Sequence, residues 1–346
     1  MTAVITGWST VSPYGIGHEA FSTGLAAGPL PTVATEDAAE PGAYLVEGFD
    51  IRAVLGRKGT RSMDRVTALA VKVVGDLLAR PEAAGAVGDG LGTALVLGTT
   101  TGSAESMMNF TRTSLEAEKP FYVDPALMPN AVMNCAAGQC AIWYQLKGPN
   151  TTIAGGRPAG LLALGYARRL LTAGRADRVL CGCAEEFSRA RSWLEHHSRG
   201  EAPAVPLTEG SAMLLVEPAG AVGPGRTPLA EILAVESRVD VDGDVKAAVG
   251  ACVDAALRGL DQAQVWAAVG SDAAVPVLAE RFGAACSRVP IVPGDAGAVT
   301  AGFQIAAVLA TAATEPAATG RLAVLTVAEP DGTVACAVLR LLEAAR

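Results

Sequence analysis

The 346-residue chain is half hydrophobic, 18% charged and only 5% aromatic, with 39 glycines, so it can form two ordinary domains or one large doubled fold packed through close backbone contacts. Lys+Arg 27 against Asp+Glu 35 gives a net charge of −8, which argues against a nucleic-acid surface, where basic residues must neutralise phosphates. No apolar run reaches the ~18–20 residues of a membrane helix, and MTAVITGWSTVSP lacks the basic start and apolar run of a signal peptide, so a cytoplasmic protein is expected.

In chain order, the hydrophobic pattern predicts a strand at Ala3–Thr6, a helix at Asp64–Ala79 and strands at Ala94–Gly98 and Thr151–Ala154. A helix at Ala159–Leu171 leads into strands at Arg178–Cys181, Ala212–Glu217 and Leu229–Val235. Then come helix Val245–Leu257, strand Trp266–Val269, helices Val275–Phe282 and Ala298–Ala313, and strands Ala323–Val327 and Thr333–Leu339. Links rich in proline and glycine fall at Ala26–Gly42, Glu201–Pro206 and Pro218–Pro228. Short buried strands alternating with helices indicate an α/β fold.

The pattern also echoes itself. PAGLLALGYARRLL, from Pro158, precedes the strand RVLCGCA; DAGAVTAGFQIAAVL, from Asp295, precedes RLAVLTVA. Each helix carries glycines five residues apart (Gly160/Gly165 and Gly297/Gly302) and then an aromatic, Tyr166 or Phe303. This is the pattern of a duplicated half, or of two generic Ala/Gly-rich helices, and the small residues would permit close packing in either case.

Residues suited to chemistry are scarce. The three histidines are His18, His196 and His197, which leaves little for a mechanism needing dispersed imidazoles. His18 opens a helix, and His196-His197 in SWLEHHSRG reads as a surface turn. The seven cysteines are odd in number and lie in apolar segments, as expected of buried free thiols in a reducing compartment. Only Cys181 and Cys183 are close in sequence, no second pair has zinc-site spacing, and neither metal nor cofactor is expected.

Six segments in order resemble the β-ketoacyl synthases of the thiolase superfamily: VITGWSTVSPYGIG, RSMDRVTALA, LVLGTTTGS, MPNAVMNCAAGQCAIWYQLKGPNTTIAGGRPAG, LTAGRADRVLCGCAEE and TEGSAMLLVE. The resemblance implies a thiolase-like five-layered αβαβα fold with two similar halves. They would be a ketosynthase-like half at 1–217 and a shortened thiolase-like half at 218–346. It also implies a dimer. In an active synthase, a Cys at the start of the central helix carries the acyl chain as a thioester, and two His residues from second-half loops assist decarboxylation.

Those groups are replaced together. Counting from Gly148-Pro149 through TTIAGG, Arg157 stands at the Cys position; the two His positions fall at about Val269 in AAVGSDAAVP and at Asp295 in VPGDAGAV. A guanidinium cannot form a thioester, and no His occurs after His197. This pattern resembles the chain length factor, or ketosynthase β subunit, of type II polyketide synthases. Such a subunit would pair with an active ketosynthase α subunit, act on chains carried by acyl carrier protein and shape the acyl tunnel. The alternative is a self-sufficient thiolase-like acyltransferase or hydrolase with a displaced nucleophile at Ser103, Ser211 or Cys183; a third reading is a structural homodimer.

On the resemblance, Ala104, Met107, Met108 and Phe110 would line or close the tunnel, or Met107 and Met108 are ordinary core or interface residues. Met133, Asn134 and Cys135 would lie at the dimer interface, unless this run is simply a buried helix. Arg168 and Arg169 are either a docking patch for the carrier or a solvated face. Arg157 and Asp295 would face each other and pair, or each is solvated or paired elsewhere.

Overall fold

The computed structural model describes residues 1–223, 225–329 and 332–342. The first half supplies β1 (Ala3–Ser12), β2 (Thr93–Thr99), β3 (Asn150–Ala154), β4 (Arg178–Glu185) and β5 (Gly210–Pro218). The second supplies β6 (Ala230–Val239), β7 (Val265–Gly270), β8 (Leu322–Ala328) and β9 (Thr333–Leu341). All nine strands expected from the pattern are present, most of them longer by one to several residues.

Their order is β7-β8-β9-β6-β1-β5-β4-β2-β3, and the halves meet where β1 and β6 pair antiparallel through Val4–Glu231 and Ile5–Ala230. Going outward from that seam, 1-5-4-2 is matched by 6-9-8-7. In each half, the last two strands of that series are parallel and the others antiparallel. Among the described residues only the first half has a further edge strand, β3, parallel to β2. Strands β2 and β8 are buried along their whole length, as strands covered on both faces must be.

Helices complete five layers. On the outer side of the first-half strands lie α2 (Arg65–Ala79) and, after α3 (Ala104–Glu116), α4 (Cys135–Tyr144), packed around Leu69, Val73, Leu97 and Leu215. Between the two sets of strands lie α1 (His18–Ala27), α5 (Ala159–Thr172) and, later in the chain, α9 (Val299–Thr314). Helix α6 (Arg189–Arg199) runs over the rim, and α7 (Val245–Ala256) and α8 (Val275–Phe282) cover the second-half strands. The fold is thiolase-like, a layered α/β structure with related halves.

The repeated glycines explain the central layer. A Cβ on Gly160 would lie 2.8 Å from the Ala298 carbonyl and 2.8 Å from the Ala301 methyl; one on Gly302 would lie 2.5 Å from the Ala212 methyl and 2.7 Å from Cys183 Sγ. The echoed segments thus become α5 and α9, lying against each other and followed by the corresponding strands β4 and β8. This is the duplicated-half arrangement.

One expectation is corrected. His196 and His197 occupy the last turn of α6, not a turn between elements. Ser188 caps that helix by accepting the Arg191 N–H at 3.1 Å, and the residues it buries are Arg191 and Ser192. Its large apolar residues, Trp193 and Leu194, are 40% exposed while Arg191 and Ser192 are buried, so the apolar positions do not mark the face that packs inward. Nor do Arg168 and Arg169 form one patch: half-buried Arg168 donates to the Leu233 carbonyl at 3.2 Å, while Arg169 is exposed.

Candidate functional site

The site lies where the central helices begin. Strand β3 ends in Gly155-Gly156-Arg157, and Pro158 then opens α5. Gly156 has φ +64°, and a Cβ there would lie 2.6 Å from Glu329 Oε2, so glycine provides both the turn and the room for that carboxylate. Glu329 follows β8, and its Oε2 accepts the Arg157 backbone N–H at 2.5 Å, while Oε1 meets Arg157 Nη1 at 2.5 Å. An anion therefore sits at the opening of α5, where helix amides attract negative charge.

Arg157 and Asp295 form an ion pair. Arg157 Nε lies 3.1 Å from both Asp295 carboxylate oxygens, and Nη2 donates to Oδ2. Glu195 of α6 adds a third carboxylate, 3.4 Å from Nη2. Asp295 is held on both sides by backbone bonds: its N–H donates to the Pro206 carbonyl at 2.9 Å and its C=O accepts from Thr208 N–H at 2.8 Å. Its Oδ1 also accepts the Gly297 N–H at 2.9 Å. Burial works to raise the Asp295 carboxyl, but hydrogen bonds and charge from Arg157, the Arg191 charge and the Gly297 amide together hold it below the ordinary range. Burial likewise works against the Arg157 charge, and the three carboxylates more than offset it, so the guanidinium stays charged.

The pair does not fill the site. A cavity of about 410 Å³ remains beside it, with Arg157, Glu195 and Asp295 on one side and apolar walls from Val205, Leu207, Ile291 and Phe303. Val269, the other position inferred for a lost His, points into the packed core; the cavity is lined by the next residues, Gly270 to Ala273.

All three candidates for a displaced nucleophile are buried. Burial pushes the Cys183 thiol up to about 12. The Ser211 hydroxyl donates to the Cys183 carbonyl at 2.8 Å inside the sheet. Ser103 caps α3, accepting the Ser106 N–H at 3.2 Å, and its hydroxyl lies 3.1 Å from Glu186 Oε1.

Glu186 connects that cap to the core. It also accepts the Glu105 N–H at 3.3 Å, and it lies near Asp64, which caps α2, and Arg65. Burial, and then the Asp64 charge, raise its carboxyl to about 7. Raised above its ordinary 4.5, it destabilises the fold when ionised: the penalty is absent at lower pH and grows as pH climbs from about 4.5 to about 7. Glu186→Gln, which still accepts from Ser103, should flatten this decline in urea-unfolding curves measured across that range. Identical pH slopes in the two proteins would refute the assignment.

The inferred tunnel and interface residues lie elsewhere, on α3 and around the start of α4. Ala104 is 0% exposed at the start of α3, so a bulky residue there would have to displace the chain's own packing. Met107 is half-buried and Met108 is 39% exposed, while Phe110 lines a small cavity with Leu127 and Asn130. Met133 and Asn134 are exposed before α4, and Cys135 is half-buried, its Sγ 3.5 Å from Asn130 Oδ1. Leu115 (80% exposed), Phe121, Met128, Val132 and Ile142 (67% exposed) are also open to solvent, and α4, which carries Ile142, packs beside the edge strand β3.

Sequence reasoning missed Glu195, Glu329 and Arg191. The buried Arg191 donates from Nη1 to the Glu186 carbonyl at 2.7 Å and stands 3.9 Å from Glu185. A cation in a sheltered site demands carboxylates, but nothing in the chain order ranks these two above the other acidic residues.

Comparisons with known proteins agree with this geometry. Residues 2–219 match the family model "Beta-ketoacyl synthase, N-terminal domain". A 3-oxoacyl-[acyl-carrier-protein] synthase 2 of Vibrio cholerae serotype O1 is 29% identical over 196 residues, spanning 54% of this chain but only 46% of that protein. A solved structure named "The ishigamide ketosynthase/chain length factor" is 47% identical and superposes with a TM-score of 0.94, covering 99% of this chain and 100% of that one. A β-ketoacyl synthase from Burkholderia phymatum STM815, 19% identical with a TM-score of 0.82, covers 99% of this chain and 100% of its own, and shares the fold. Layered halves, a central helix opening at Arg157 and a family match over the first half lead to one conclusion: the chain belongs to the β-ketoacyl synthase family.

Proposed function

We propose that this chain is a non-catalytic chain length factor, the ketosynthase β subunit of a type II polyketide synthase. It pairs in the cytoplasm with an active ketosynthase α subunit and helps to close the tunnel in which a chain on acyl carrier protein grows. The observation that carries this reading is Arg157. At the head of the central helix, where an acyl-carrying thiol would be needed, stands a guanidinium held by Asp295, Glu195 and Glu329. The 47% identity to a chain from a ketosynthase/chain length factor structure supports it, as do the exposed apolar side chains of Met128, Val132 and Ile142. Condensation chemistry then belongs to the partner's thiol and imidazoles.

Met108 is a better test of tunnel control than buried Ala104, because its side chain already reaches the surface of α3. With a ketosynthase α subunit, malonyl donors and carrier protein, Met108→Trp should shift the products to shorter chains while the heterodimer still forms. An unchanged length distribution removes the tunnel role. Acyl labelling of the isolated chain by an acyl thioester would remove the non-catalytic assignment.

A further inference from the structure

The geometry points to the cavity beside Arg157 as a binding site for an aliphatic primary amine, taken up as its ammonium ion. This inference stands on the cavity and its charges and does not require the partner assignment. At about 410 Å³ the space falls within the ~300–1,000 Å³ of small-molecule sites, and Val205, Leu207, Ile291, Val292 and Phe303 give it an apolar wall.

The charge of the lining selects the head group. Its two guanidiniums, Arg157 and Arg199, stand against Glu195, Asp272 and Asp295 in the wall itself, with Glu329 paired to Arg157 and Glu40 to Arg199. Carboxylates therefore outnumber cations, and neither guanidinium is left for a ligand carboxylate or phosphate. An ammonium, by contrast, offsets the excess negative charge. Beside apolar walls that attraction is screened less than it would be in open water.

Two of the carboxylates are placed to receive it. Asp295 is taken up by Arg157 and the Gly297 amide, and Glu329 by the side chain and backbone of Arg157. Glu195 is held more loosely: it meets Arg157 through Oε2 at 3.4 Å, and 20% of its side chain is open where it lines the cavity. Asp272, in the loop after β7, lines the same cavity, is exposed and has no ion pair among the described residues. A primary ammonium brings three donors, and its bonds to carboxylates are charge-assisted. Among the described residues no group of three His, Cys, Asp or Glu side chains could hold a metal ion, and the apolar wall calls for an aliphatic body rather than a bare cation.

Three eight-carbon probes test this: octylamine, octan-1-ol and octanoate, titrated calorimetrically at pH 7 into the purified protein, with its partner subunit if it is isolated as a heterodimer. Octylamine should bind at least tenfold more tightly than octan-1-ol or octanoate, and added salt should weaken octylamine without weakening octan-1-ol. Two variants assign the binding to this cavity. Asp272→Asn alters an exposed side chain with no ion pair, so its melting temperature should match the wild type; Glu195→Gln leaves Arg157 with Asp295 and Glu329. Each should weaken octylamine at least threefold, and the two together at least tenfold, without changing the response to octan-1-ol. The assignment is overturned if octan-1-ol or octanoate binds as well as octylamine, if no probe binds, or if the double variant binds octylamine as the wild type does.

Discussion

Arg157→Met should lower the stability of the folded protein by about 3 kcal/mol at neutral pH, since removing one partner of a sheltered ion pair leaves uncompensated charge behind. Here three carboxylates lose their common cation, and only 21% of the Arg157 side chain is exposed to water that could screen them. The loss should be non-additive. Combined with Asp295→Asn, which removes one stranded charge, the double variant should be more stable than the sum of the single effects by about 1 kcal/mol or more. Acidity adds a second signature. Asp295 is held below its ordinary 3.8, so its contribution is present above that value and disappears as pH falls through the lower folded value. The difference between wild type and Arg157→Met should therefore be full at neutral pH and shrink on acidification. Equilibrium urea unfolding at several pH values measures both effects, and strictly additive variants would show that the pair is not a unit.

Ile142→Asp should weaken association with a ketosynthase α subunit at least a hundredfold, which corresponds to about 2.7 kcal/mol. The reason is local. Ile142 is 67% exposed on α4, which packs beside the edge strand β3, and Leu115, Phe121, Met128 and Val132 are likewise open to solvent. Exposed apolar side chains in such number mark surface that another protein covers, and a carboxylate at Ile142 would then be buried without a partner. Because Ile142 contributes little to the chain's own core, the melting temperature of the isolated variant should stay close to that of the wild type. Size-exclusion chromatography and affinity measurement on the co-expressed subunits decide the matter. A heterodimer of undiminished affinity would place the interface elsewhere.

Much of this architecture was legible in one dimension. Strands such as Arg178–Glu185 and Leu322–Ala328 are continuous apolar runs because both faces are covered, and such runs need no partner to be recognised. Gly160 leaves room for the start of the other central helix at Ala298 and Ala301, and Gly302 lets α9 lie against Ala212 and Cys183 of the strands. Where burial was polar, the signal failed. The sequence suggests a surface turn at His196-His197 where α6 ends, because Arg191 and Ser192, not leucines, face inward on that helix. Helix α3 buries only Ala104, so its pattern depended on family resemblance rather than periodicity.

The sequence by itself determined that the chain is a layered α/β protein with a repeated central helix. It also determined that no imidazole follows His197, and its resemblance to the family puts Arg157 where a nucleophile is expected. The layered pattern and the missing imidazoles need only local residue type and short-range period. Only the tertiary structure decided what surrounds Arg157. Glu195, Asp295 and Glu329 come from α6, the turn before α9 and the end of β8, segments separated by up to 172 residues from the cation they hold. Charge pairing depends on distance in space, and distances of that kind are set by how the layers close, which no local pattern records. The cavity left beside the pair belongs to the same class of fact.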